Sequence, residues 1–212
     1  MNVISIIEPQ KRNKQRVNVY IDEEYAFSCE LETLVKHNLK QGMNVDPVKL
    51  NEIVSHDNYL KCKNCALRII ERGQKSEKEM IDKLKLKGYD EAVIIKTMDF
   101  MKEYGFIDDE KLSKSYISQK STSMGRNKMK AFLYNKGISD DIIRNCMSGV
   151  DGEMEEYTAL NIAVKRYNVL IKRDTDKNIL YKKLGDYLLR KGYSYDICKS
   201  VLKNVLSELD GE

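Results

Sequence analysis

A single phrase recurs three times in this chain: an amphipathic helix, a lysine-glycine stop and a second amphipathic helix. No other feature limits the fold as strongly. The first copy lies within SEKEMIDKLKLKGYDEAVIIKTMDFMKEYGFIDDEK, from Ser76 to Lys111. Ser76 and Glu79 stand at capping-box spacing, in which hydroxyl and carboxylate each satisfy the other residue's backbone amide. Met80, Ile81 and Leu84 then recur at helical period, and Val93, Ile94, Thr97, Met98 and Met101 do so after Gly88. Tyr104-Gly105 closes the second helix, and Asp108 or Asp109 caps the next.

Counted from Gly88, apolar residues fall eight and four positions before it (Met80, Leu84) and five, six and ten after it (Val93, Ile94, Met98). Around Gly137 the same positions hold Met129, Leu133, Ile142, Ile143 and Met147. Around Gly192 they hold Leu184, Leu188, Ile197, Cys198 and Leu202. Lys87, Lys136 and Lys191 precede the three glycines. A basic last turn followed by glycine is the pattern of a left-handed C-terminal cap, so all three glycines are expected at positive φ. The glycines are 49 and 55 residues apart, the size of a structural repeat.

Each repeat gains a helix at its start. Tyr59–Glu71 supplies it with Ala66, Leu67, Ile69 and Ile70; Lys111–Gln119 with Leu112, Tyr116 and Ile117; Glu155–Tyr167 with Leu160, Ile162, Ala163 and Val164. Before the repeats, Val3–Ile7, the alternating Val17, Val19 and Ile21, and Tyr25–Ser28 read as three short antiparallel strands. Lys11, Arg12, Lys14 and Arg16 mark the connection between the first two, and Asp22-Glu23-Glu24 the turn between the last two. A helix over Leu31–Leu39 and another opened by Asp46-Pro47 follow. The expected fold is mainly α: tandem three-helix repeats, helix-turn-helix-like, behind a small N-terminal antiparallel β-sheet. The expected divisions are 1–58 (strands and helices), 59–108, 109–150 and 151–212 (repeats one to three), with Asp151-Gly152 marking the last boundary.

Composition narrows the function. No apolar run reaches a membrane span and the N-terminus lacks a secretory h-region, so the chain reads as cytoplasmic. Its five cysteines (Cys29, Cys62, Cys65, Cys146, Cys198) are odd in number and scattered, which is no disulfide framework. Cys62-Lys63-Asn64-Cys65 is a CxxC without a second ligand pair. His37 and His56 form no paired motif, so the CxxC reads as helix positions before it reads as a metal or redox site. Phosphate-binding, dinucleotide, zinc-protease and nucleophile-elbow motifs are absent, and Asp108-Asp109-Glu110 is explained by capping. The reading is a non-enzyme with no catalytic residue, metal or cofactor.

The net charge of +4 is unevenly placed: −2 over residues 1–60, +6 over 61–150 and zero over 151–212. Between Glu110 and Asp140 stand seven basic residues and no acidic one: Lys111, Lys114, Lys120, Arg126, Lys128, Lys130 and Lys136. Ser121, Thr122, Ser123 and Gly125 lie among them, just before a helix. Helix N-terminal amides, hydroxyls and lysines together suit phosphate. This segment is the expected contact with nucleic acid or with an acidic filament surface; the competing reading is a solvated basic face. Tyr104, Tyr116, Tyr134, Tyr167 and Tyr187 lie near basic residues and could stack on bases, although tyrosine at helical spacing is more often a core-edge residue.

SEKEMIDKLKLKGY (Ser76–Tyr89), EYGFIDDEKLSKSYI (Glu103–Ile117) and GRNKMKAFLYNKGI (Gly125–Ile138), in this order and spacing, resemble the RecX family of bacterial regulators of the RecA recombinase. The strand block followed by ALRIIERGQKSEKE resembles Gram-positive members, and the likeness covers nearly the whole chain. It departs from the family pattern at Phe132, at Gln119-Lys120 and at Ser113. The resemblance implies a non-enzymatic modulator that binds the RecA nucleoprotein filament along its groove and restrains strand exchange, ATPase and coprotease activity. That is a role in homologous recombination, DNA repair and the SOS response, played as a monomer. The alternative is a direct DNA-binding protein of tandem helix-turn-helix-like modules on single- or double-stranded DNA. Against it, the basic residues sit in one repeat and no helix carries an obvious set of base-reading side chains. A scaffold with no nucleic-acid role is the third reading.

Overall fold

The structure, a computed structural model, describes residues 2–11, 13–173 and 176–207. Arg12, read as part of the first polar connection, lies outside them. The described chain is mostly helical with one small sheet. It divides into two compact units: the residues up to Gly73 together with Met80–Phe106, and Gln74–Glu79 together with the residues from Ile107 onward.

In the first unit β1 (Ile4–Pro9), β2 (Arg16–Ile21) and β3 (Glu24–Glu30) form an antiparallel sheet in that order. Ile21 pairs with Glu24 across a two-residue turn, with Asp22 at φ 48° and Glu23 at φ 71°. Two successive positive φ values match the right-handed twist of the flanking strands. Val17 and Val19 point inward, as their alternation requires, and join Ile4, Phe27, Cys29, Leu39, Val45 and Ile53 in one core. A three-stranded sheet of this size needs that helical backing to be stable.

α1 (Leu31–Lys36) is short. It ends before Leu39, because Asn38 turns the chain at φ 48°. α2 (Pro47–Glu71) is one continuous helix of 25 residues, capped by Asp46 accepting from the Val48 amide at 3.0 Å. The sequence had read as two helices meeting near residue 58. The difference has a clear cause: neither glycine nor proline interrupts 48–71, and polar Asp57 sits inside the helix as an anchor. Its buried carboxylate takes Lys61 at 2.8 Å, Arg16 at 3.1 Å and the Glu30 amide at 2.7 Å, tying helix to sheet. The CxxC falls mid-helix here, with Cys62 fully buried and its thiol pushed up by that burial.

α3 (Glu77–Leu86) and α4 (Glu91–Glu103) complete the first repeat. α5 (Asp109–Lys120), α6 (Arg126–Asn135) and α7 (Asp140–Ser148) form the second; α8 (Gly152–Leu170), α9 (Lys177–Lys191) and α10 (Tyr195–Ser207) form the third. The expected capping box closes: the Glu79 amide donates to Ser76 Oγ at 3.2 Å and the Ser76 amide to Glu79 Oε2 at 3.1 Å. Asp108 caps α5 through the Lys111 amide at 2.8 Å.

The recurring phrase is one local structure built three times. Met80, Leu84, Ile94 and Met98, then Met129, Leu133, Ile143 and Met147, then Leu184, Leu188, Cys198 and Leu202 are all buried. Gly88, Gly137 and Gly192 have φ of 81°, 76° and 93°. After each glycine an amide reaches back five residues to a helix carbonyl: Tyr89 to Leu84 at 3.3 Å, Ile138 to Leu133 at 3.2 Å, Tyr193 to Leu188 at 3.3 Å. This is the Schellman closure, and only glycine takes the left-handed step without a steric cost from Cβ.

Candidate functional site

The seven basic residues do not form one patch. Lys111, Lys114 and Lys120 lie on α5, Arg126, Lys128 and Lys130 on α6, and Lys136 just past the end of α6. On α6, Arg126 and Lys130 share a face while Lys128 lies about 200° around the axis from Arg126. Four of the seven are engaged. Lys114 pairs with Glu110 one turn away at 2.5 Å, both exposed. Lys128 Nζ donates to the Arg190 carbonyl at 3.2 Å. Lys136 Nζ meets Glu79 at 2.6 Å, and its ammonium lies 5.4 Å from the centre of the Phe132 ring. Arg126 is a structural residue. Its Nε meets Glu155 Oε2 at 2.7 Å, its Nη2 donates to the Val150 carbonyl at 2.5 Å, and its amide donates to Glu155 Oε1 at 2.8 Å. Lys111, exposed, and Lys120 and Lys130, half-buried, make no side-chain ion pair among the described residues, and they are what remains of the segment for an outside contact.

At the α6 N-terminus, read from the sequence as a phosphate site, three amides already have protein acceptors. Helix-start amides bind anions when no protein acceptor is in reach. Here the Gly125 amide goes to the Lys191 carbonyl at 3.0 Å, the Arg126 amide to Glu155, and the Asn127 amide to the Gly192 carbonyl at 3.0 Å. The anion at this helix start is the protein's own Glu155, 6% exposed. Sequence reading missed it. The one visible signal was a glutamate in the first turn of α8, which also fits an ordinary helix-dipole role.

A second junction of the same kind joins the first turn of α3 to the end of α6. Ser76 Oγ donates to the Lys136 carbonyl at 2.5 Å while Glu79 pairs with Lys136. Partial burial works against the Glu79 carboxylate, but the hydrogen bonds from Lys136 and from the Ser76 amide outweigh it and hold the carboxyl below its usual range.

The tyrosines divide between packing and surface. Tyr116 stacks on Phe132 with centroids 3.9 Å apart, and the Tyr134 hydroxyl binds Asp140. Tyr187 is flanked by Arg166 and Lys191, and Tyr167 is partly buried in the third-repeat core. Tyr104 alone of the five belongs to an exposed aromatic group, packed on Phe100 at 4.6 Å, with Phe106 beyond.

Comparison with known proteins places this architecture. Residues 2–46 match the family model for the regulatory protein RecX N-terminal domain, residues 62–101 that for the RecX first three-helix domain, and residues 155–202 that for the third. A regulatory protein RecX of Clostridium perfringens is 44% identical over 205 residues, 97% of each chain. That of Clostridium tetani is 45% identical over 206 residues, 97% of this chain and 95% of the relative. A crystal structure of regulatory protein RecX superposes with a TM-score of 0.71 at 23% identity, covering 95% of this chain and 98% of that one. The crystal structure of RecX from Lactobacillus salivarius gives 0.64 at 24% identity, covering 71% of this chain and 97% of that one. These two likenesses speak for the fold.

Proposed function

The chain belongs to the RecX family of regulatory proteins, and from that premise we propose that it is a non-enzymatic modulator of the RecA recombinase. On this reading it lies along the groove of the RecA–DNA filament in the cytoplasm as a monomer, and restrains strand exchange, ATPase and coprotease activity. The observation that carries the proposal is identity of 44–45% with RecX proteins over almost the whole chain. The tandem three-helix units support it, because small helical repeats in series are an architecture suited to binding a partner over many contacts. The basic segment is the proposed contact: Lys111, Lys120 and Lys130 meet phosphate or an acidic filament surface, Lys114, Lys128 and Lys136 add charge nearby, and Arg126 holds the α6 start in place.

Co-sedimentation with RecA–single-strand filaments, bare DNA and RecA alone tests it. Binding is expected with filaments and not with DNA alone. Lys111→Gln/Lys120→Gln/Lys130→Gln is expected to lower filament affinity and flatten its salt dependence, since each lost phosphate contact lowers the slope by about one. None of the three makes an ion pair among the described residues and surface lysines contribute little to folding, so circular dichroism should be unchanged. Equal binding to bare DNA would favour a direct DNA binder. No binding to cognate filaments would overturn the proposal.

A further inference from the structure

Two of the three Lys-Gly turns hold the N-terminus of another helix. On the Lys136-Gly137 turn sits the first turn of α3: Ser76 donates to the Lys136 carbonyl, Glu79 pairs with the Lys136 ammonium, and the Lys78 side chain lies against Gly137 where a Cβ would stand. On the Lys191-Gly192 turn sits the start of α6. The Gly125 and Asn127 amides donate to the Lys191 and Gly192 carbonyls, and the Lys128 backbone closes over Gly192. The register is the same in both. Ser76 and Gly125 each lie twelve residues before the glycine of their own repeat, and both helices are ten residues long.

The chemistry of the fit is general. A helix end leaves carbonyls without partners and a helix start leaves amides without partners, so end and start satisfy each other. The macrodipoles meet head to tail. Glycine removes the Cβ that would hold the incoming residue away, and at the first junction Lys136 also supplies a cation for Glu79 in the incoming first turn, whereas at the second Lys191 lies over the Tyr187 ring.

We propose that the remaining turn, Lys87-Gly88, is an open socket of this kind, and that it receives the N-terminus of a helix from a partner protein. It has the same left-handed glycine, the same five-residue amide closure and the same lysine. Its surroundings differ. Among the described residues nothing stands within 4 Å of where a Gly88 Cβ would lie, and the Lys87 and Gly88 carbonyls accept no hydrogen bond. A polar cleft of about 500 Å³, walled in part by Lys87, Tyr89, Arg68, Lys61, Arg16 and Glu30, opens beside it. Arg16 and Lys61 are committed to Asp57, whereas Arg68 and Lys87 make no ion pair among the described residues. Two spare cations beside unpaired carbonyls call for an occupant with donors and a carboxylate. A helix start of the form Ser-x-x-Glu has both, and it is the form that Ser76 and Glu79 present to Lys136. This inference does not depend on the identity of the partner proposed above.

The test uses the full chain, labelled with nitrogen-15, and a synthetic peptide with the sequence of residues 76–89. Shifts are expected at the amides of Lys87, Gly88 and Tyr89, with half-saturation at about 1 mM for so few exposed contacts. The Gly137 and Gly192 amides, already covered, should not move. A peptide carrying Ser76→Ala and Glu79→Gln should bind about tenfold more weakly. Gly88→Asn keeps the left-handed turn but fills the socket. It should abolish the shifts while leaving the circular dichroism spectrum unchanged. Absence of shifts at Lys87–Tyr89 at ten times that peptide concentration, or equal binding by the altered peptide or by the Gly88→Asn protein, would overturn the proposal. Sedimentation of wild type and Gly88→Asn completes it. Concentration-dependent dimers formed by wild type alone would put a second copy in the socket and refute the partner assignment.

Discussion

Replacing the glycine of each of the three phrases by alanine separates local conformation from junction packing. All three glycines have the same φ within about 20°, so the backbone cost is shared: roughly 1 kcal/mol for alanine in the left-handed region. At Gly88 nothing else is met among the described residues, and about 1 kcal/mol is the whole expected effect. At Gly192 the new Cβ would lie 2.3 Å from Lys128 Cβ and 2.5 Å from Lys128 N. Backbone cannot swing aside, so α6 must retreat, and the bonds from the Gly125 and Asn127 amides lengthen from 3.0 Å. Two hydrogen bonds at about 1 kcal/mol each, added to the shared cost, give roughly 3 kcal/mol. Gly137 falls between. Its Cβ would meet Lys78 Cδ at 2.1 Å and Lys78 Cβ at 2.7 Å, a side chain that rotates away in part, for roughly 2 kcal/mol. Urea unfolding followed by circular dichroism reads the order. Because the chain has two compact units, native-state hydrogen exchange of amides beside each glycine assigns the loss to its place. Equal losses at the three sites, or Gly88→Ala as the most damaging, would show that the junctions carry no stability and would refute the reasoning.

Other outcomes follow from the same contacts. Arg126→Gln should destabilise the protein by about 1–3 kcal/mol in thermal melts, since it strips the partner from nearly buried Glu155, while Lys130→Gln four residues away should change stability by less than about 0.5 kcal/mol. Glu79→Gln should cost roughly 1 kcal/mol at neutral pH. The carboxyl of Glu79 titrates below its usual range when folded, so its contribution is complete above the unfolded value of about 4.3 and is lost as pH falls through the lower folded value; wild type and variant should therefore converge in acid melts. Ile143→Ala, in the fully buried core of the second repeat, should cost about 2–5 kcal/mol in urea. Asp57→Asn should loosen the sheet from α2, seen as faster hydrogen exchange at the Glu30 amide, which donates to that carboxylate at 2.7 Å.

The three helix-glycine-helix phrases were legible in the sequence because everything that makes them is local. Helical period, capping box and glycine stop all act within a dozen residues, and Met80, Leu84, Met129, Leu133, Leu184 and Leu188 are buried where that period put them. The hairpin at Asp22-Glu23 and the cap at Asp108 are local in the same way. The long α2 was misread because a polar stretch around Asp57 looks like a break until the partners of Asp57 on the sheet are known. The basic segment shows the limit most clearly. Its charges are written in the sequence, but whether a lysine or arginine is spare depends on residues far along the chain. Glu155 claims Arg126 from 29 residues away, Glu79 claims Lys136 from 57, and the Lys191 and Gly192 carbonyls take the α6 amides that a phosphate would need. Local sequence fixes backbone conformation because its causes are short-ranged; which polar groups remain unpaired is a property of the packed chain, and that was decided by tertiary structure.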